Sequence, residues 1–123
     1  MPKRSGKPSV RLQLRDFALT LPGAWEDHPW GEIVAKVGKK VFVFLGMDGP
    51  DGSGMSVKLT ESHEHALSVV GAKPTGYGLG KAGWVSVPFE GADVELLQDW
   101  IEESYRNVAT KKLIAQLDEV RPA

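Results

Sequence analysis

The chain has 123 residues, 41% of them hydrophobic and 25% charged, with a net charge of −1 and no cysteine. That is long enough to bury one core without cross-links, and it excludes disulfides and thiolate metal sites, so a reducing cytoplasm is the expected location. No apolar run approaches the roughly 18 residues of a membrane span, so no membrane association is expected.

Residues 1–8 (MPKRSGKP) are basic with no apolar core behind them, and are expected to form a disordered tail before a single α+β domain over 9–120. From Ser9 onward Val10, Leu14, Phe17, Ala18 and Leu21 recur at helical spacing, with Ser9 as N-cap and Pro22-Gly23 as the stop. The stretch LPGAWEDHPWG (21–31) is a poor recipe for a helix or strand and reads as an elbow into a sheet, with His28 and Trp30 on its surface. EIVAKV (32–37) alternates and KVFVFL (40–45) is nearly all β-branched or aromatic, with Gly38-Lys39 as the two-residue turn between them. GMDGPDGSG (46–54) holds turn residues only, and MSVKLT (55–60) is a third alternating strand. Thr60 is placed to cap a short helix from Glu61 to about Val70, stopped by Gly71. The glycine-rich segment GAKPTGYGLGKAG (71–83) leads into a strand, WVSVPF (84–89). Asp93 then caps a long helix whose apolar face carries Val94, Leu97, Ile101, Ser104, Tyr105 and Val108, and KKLIAQLDEV follows as a last amphipathic piece. Local hairpins flanked by helices predict an α+β sandwich: an antiparallel sheet with helices on one face and the other face open.

Three motifs suggest chemistry. Gly78-Leu79-Gly80-Lys81-Ala82-Gly83 spells GxGxxG, but a dinucleotide fingerprint needs a strand before it and a helix after it, and here the order is reversed. His63 and His65 flank Glu64, yet on a helix positions i and i+2 point apart and cannot share an ion. Glu26, Asp27 and His28 are the right types for acid–base work, but no nucleophile with a partnered base stands beside them. No catalytic residue, metal or cofactor is therefore assigned. An enzyme is the least supported reading, and only a small ligand between the glycine-rich segment, Ser104 and Tyr105 would revive it.

Strand parity gives a sharper clue. With Ile33, Ala35, Val37, Met55, Val57, Leu59, Val85, Val87 and Phe89 inward, the open face would carry Val34, Lys36, Ser56, Lys58, Trp84 and Ser86. Strand 40–45 would add either Val41/Val43 or Phe42/Phe44, and Lys39 and Lys40 would lie at the hairpin end. Trp84 is then either a contact residue or covered by the glycine-rich segment or the C-terminal piece; the sequence leaves both open.

LPG, EDHPWG, GKKVF, VKL, GWVSV and LxxWIxxSYRxVA, in this order and spacing over residues 10–117, resemble the MmcQ/YjbR family of small bacterial proteins. The resemblance implies a frataxin-like (CyaY-like) α+β fold of the double-wing type and carries a DNA-binding label that rests on fold analogy. It supplies no catalytic residues.

Two functions follow. In the first, Lys36, Lys39, Lys40, Lys58 and Lys81 meet the phosphates of a nucleic acid, Trp84 stacks or wedges, and Arg106 assists. In the second, the same sheet face of a monomer docks a protein partner. Residues 1–60 carry nine Lys/Arg and six Asp/Glu (+3), while 61–123 carry six and ten (−4), so any nucleic-acid binding should be modest and salt-dependent. Iron binding of the frataxin kind is disfavoured, because the first helix carries Arg11 and Arg15 against one Asp16.

Overall fold

A computed structural model of the chain describes residues 9–46, 54–76 and 78–121. The expected basic tail and most of the loop at 46–54 lie outside the described residues. Helix α1 (Val10–Leu19) opens on Ser9, whose hydroxyl accepts from Leu12 N at 3.1 Å, and turns Leu14 and Ala18 into the core. Arg11 is buried beside them, its Nε donating to the Leu45 carbonyl at 2.8 Å and its guanidinium lying over the Phe89 ring.

Six strands follow: β1 (Ala24–Asp27), β2 (Ile33–Val37), β3 (Lys40–Gly46), β4 (Gly54–Lys58), β5 (Lys73–Pro74) and β6 (Trp84–Pro88). They form one antiparallel sheet in the order β1-β2-β3-β4-β6-β5. The expected elbow at 21–31 is thus partly a strand. Ala24–Asp27 pair with Val37–Val34 as an edge, where one neighbouring ladder is enough and the nearby Pro and Gly fall outside the pairing. A further strand, β5, is two residues long and sits inside the glycine-rich segment.

The core is the face predicted by alternation, with Ala35, Val37, Val57, Val85 and Val87 at most 5% exposed. Strand β3 departs from it. Ala35 pairs with Val43 but Lys36 with Val41, and Val34 pairs with Phe44 but Ile33 with Gly46, so Phe42 and Leu45 are each an extra residue. These bulges break the period of two. Phe42 turns inward with Val43, edge-on to Tyr105 at 5.3 Å between ring centroids, and Phe44 turns outward against Trp84, also at 5.3 Å. Neither sequence-derived alternative for this strand is therefore right: Val41 and Phe44 face outward.

Helix α2 (His63–Leu67) is shorter than expected, and Thr60 does not cap it. The cap comes from 41–43 residues away: Glu103 Oε2 accepts from Thr60 N at 2.9 Å and Ser62 N at 3.1 Å. Burial pushes the Glu103 carboxyl up, but the hydrogen bonds from Ser62 and Thr60 outweigh it and hold the group below the usual carboxylate range. A depressed folded-state value means stability that is present above the unfolded pKa and lost as pH falls through the folded one. Glu103→Gln should therefore be less stable than the parent at neutral pH, with the gap closing in acid, as urea melts across that range would read.

Helices α3 (Val94–Val108) and α4 (Lys111–Val120) are capped by Asp93 and Thr110. α1 and α3 pack on the inner face of the sheet, and α2 joins this layer through His65, edge-on to Trp100. No helix is long and apolar enough to cross a membrane among the described residues.

Candidate functional site on the open sheet face

Register places the outward side chains in two rows. In the first, Trp25 lies opposite Lys36, Lys36 opposite Val41, and Lys58 opposite Trp84. In the second, Asp27 lies opposite Val34, Val34 opposite Phe44, Phe44 opposite Ser56, Ser56 opposite Ser86, and Ser86 opposite Lys73. Of the five predicted lysines, Lys36 and Lys58 stand in the first row, Lys39 sits in the hairpin turn beyond it, and Lys40 pairs with Val37 and so borders the helical side of that turn. Lys81, the fifth, lies in the 3-10 turn Leu79–Ala82 that leads into Trp84.

The lysines differ in how free they are. Lys36 Nζ pairs with Asp27 Oδ2 at 2.9 Å and lies 5.2 Å from the Trp25 ring. The Lys36 hydrogen bond, followed by the one from the His28 backbone, holds the Asp27 carboxyl below its ordinary value. Lys39, Lys40, Lys58 and Lys81 make no ion pair among the described residues. Lys73, which the sequence analysis did not single out, is equally free on the second row. A small groove bounded by Lys39, Lys40, Val108, Ala109 and Thr110 also sets the α3–α4 junction beside the hairpin turn. That brings Lys111 and Lys112 to the same end of the molecule. The acids at Glu90, Asp93 and Glu95 lie at the opposite end, where β6 hands over to α3.

Two predicted residues fare otherwise. Trp84 does stand on the open side, but it is only 8% exposed, with Phe44 against it and the 3-10 turn beside it. The ring packs on Phe44 of the neighbouring sheet row and is not the exposed contact residue of the first reading. The exposed aromatics are Trp30 (75%) and Trp25 (44%), the latter fixed by Nε1 donating to the Gly38 carbonyl at 3.0 Å. Arg106 belongs to the helical layer, where it pairs with Asp118 at 2.7 Å and Glu102 at 3.3 Å, and it does not join the lysines. Its partner Asp118 lies on α4, so periodicity along α3 gives no sign of it. His28 pairs with Glu26 at 2.7 Å, at the edge of the sheet.

The same face holds a cleft of about 600 Å³ lined by Trp30, Glu32, Phe44, Ser56, Thr75 and Leu79, continuous through Glu32, Phe44 and Ser56 with a shallower one that reaches Lys73 and Ser86. GxGxxG supplies its far wall: the segment links β5 to β6 and curls over the sheet, bringing Leu79 opposite Trp30. Gly80 permits this, since a Cβ there would meet Pro74 Cβ at 2.8 Å. The motif is a hairpin connection with a strand after it, not a phosphate-binding turn. Ser104 and Tyr105 are both turned away into the core, hydrogen-bonded to Phe42 O, Lys58 N and Pro22 O. No group of three His, Asp or Glu side chains able to hold a metal occurs among the described residues.

Among curated proteins none matches this chain. Among solved structures, the Deinococcus radiodurans protein DR2400, described by the domain DUF419, is similar at 28% identity and a TM-score of 0.68, over 85% of this chain and 84% of that one. The family model named YjbR matches residues 19–107, well over half of the sequence. The chain belongs to the YjbR family.

Proposed function

We propose that this protein is a nucleic-acid-binding module whose contact surface is the lysine-bearing end of the open sheet face. The observation that carries the reading is charge segregation: Lys39, Lys40, Lys58 and Lys81, unpaired among the described residues, gather around the row that runs from Trp25 to Trp84. Of the acids in the second half of the chain, Glu90, Asp93 and Glu95 lie at the other end and Glu102 and Asp118 pair with Arg106, while Glu61 and Glu64 follow Lys58 on the helical side. A protein with net charge −1 can in this way present a local positive field to phosphates. Trp25 and Trp30, rather than Trp84, offer rings on which bases can stack.

The test is fluorescence anisotropy with a labelled single strand across a salt series. The parent should bind with an affinity that falls steeply with salt. The double variant Lys39→Glu/Lys40→Glu should bind at least about tenfold more weakly, with a log–log salt slope shallower by about 2, roughly one per lost phosphate contact. A protein-interaction module is the second reading, favoured by Trp30 at 75% exposure above an apolar-walled cleft. It would give binding to no oligonucleotide, and a partner contact that is insensitive to salt.

A further inference from the structure

The cleft between Trp30 and Leu79 has a floor unlike its walls. Ser56 Oγ and Ser86 Oγ are 2.9 Å apart, and Thr75 Oγ1 and Ser86 Oγ are 3.0 Å apart, so three hydroxyls run across β4, β6 and the residue after β5. Three hydroxyls joined by two hydrogen bonds keep one O–H donor to spare as well as several lone pairs. Phe44 continues this floor beside Ser56, Trp30 and Leu79 form the walls, and on the rim stands Glu32, which makes no hydrogen bond or ion pair among the described residues. Apolar walls with a few convergent polar groups are the anatomy of a site for a small planar ligand, and about 600 Å³ lies within the range such sites span.

Resting on the nucleic-acid reading, we infer that the cleft takes one unstacked guanine from a single strand that runs along the sheet face to the lysines at its hairpin end. A ring entering between Trp30 and Leu79 stacks on Trp30 and meets the edge of Phe44, as unstacked bases do on aromatic side chains. The carboxylate of Glu32 selects among bases. It accepts two parallel N–H bonds side by side, and guanine alone among the common bases offers such a pair, N1–H with the exocyclic N2–H. Uracil and thymine turn carbonyl oxygens toward the carboxylate, while cytosine and adenine each offer a single amino group there. The hydroxyl floor serves the remaining ring nitrogens and carbonyl. Lys73, opposite Ser86 on the far side of the floor, can hold the phosphate of the same nucleotide.

The experiment compares three labelled oligothymidylates of one length at fixed low salt: plain, with one central guanine, and with hypoxanthine in its place, which keeps N1–H and lacks the exocyclic amine. The guanine strand should bind about tenfold or more tightly than the plain strand, and hypoxanthine should lose most of that gain. Glu32→Gln should abolish the preference without weakening the plain strand, whereas Trp30→Ala should abolish the preference and weaken every strand, because the ring stacks on any base. Equal binding of all three strands, still sensitive to salt and to Lys39→Glu/Lys40→Glu, overturns the guanine site and leaves the nucleic-acid reading intact. Preference for guanine that survives Glu32→Gln also overturns it. Failure of every strand to bind overturns both.

Discussion

Phe42→Ala should lower the unfolding free energy by about 3–5 kcal/mol, the range found when a fully buried phenylalanine is truncated. The site is set up for the upper part of that range. Phe42 is 0% exposed and packs edge-on to Tyr105, itself 0% exposed and tied through its hydroxyl to the Pro22 carbonyl at 2.5 Å. A cavity at this point adjoins the α3–sheet contact and the bulge of β3, and neither can close over it without giving up backbone hydrogen bonds. Aromatic contact adds about 0.5–1.5 kcal/mol beyond area. Phe44→Ala, two residues away and on the outer face, should cost clearly less. Chemical denaturation of the two variants side by side checks the bulge directly, because an unbroken alternation would give both residues the same surroundings.

The second large effect is Ser104→Ala, a change of one oxygen. Ser104 is fully buried on α3, where its hydroxyl donates to the Phe42 carbonyl at 2.5 Å and accepts from Lys58 N at 2.8 Å. Those two groups lie on β3 and β4, so one side chain completes the ladder where the sheet bulges and binds the helix to it. Removing the oxygen strands a donor and an acceptor away from water, at about 1–3 kcal/mol each. A loss of about 2–4 kcal/mol is expected, with little change in the denaturant m-value if the fold is kept. Ser104→Val, which fills the space but supplies no polar atom, should not restore it. Recovery by valine would mean that packing, not hydrogen bonding, is the role of this residue.

Much of the fold was legible because local rules governed it. Ser9 and Asp93 cap their helices through their own side chains, β4 keeps strict alternation between a packed and an open face, and β2 and β6 keep the predicted inward residues although Val34 and Trp84 are buried as well. What escaped depends on partners distant in sequence. The bulges of β3 answer to the opposing strands and to Tyr105, the start of α2 to a carboxylate on α3, and the burial of Arg11 to a carbonyl 34 residues away. The candidate site divides in the same manner. Lysines on regular strands could be assigned to a face by counting. Trp84 could not, since the ring it packs on, Phe44, is turned outward by the bulges of β3, and neither could Arg106, whose partner Asp118 is brought to it by the packing of α4. Glu32 and Lys73 drew no attention as sequence, because single charges flanking strands usually only face water. Their meeting on one cleft is a product of the strand order, which sets β5 next to β6 and brings the loop after β1 across from it.

The central claim is that one end of the open sheet face meets nucleic acid, and amide chemical-shift mapping by NMR tests it most directly. On titration with a short single strand at low salt, the shifts should concentrate on Trp25, Lys36, Lys39, Lys40, Val41 and Lys58, with the Trp25 and Trp30 indole signals moving in step and the α3 acids unaffected. Saturating shifts confined to the helical layer, or none at all with the protein folded, would contradict the account.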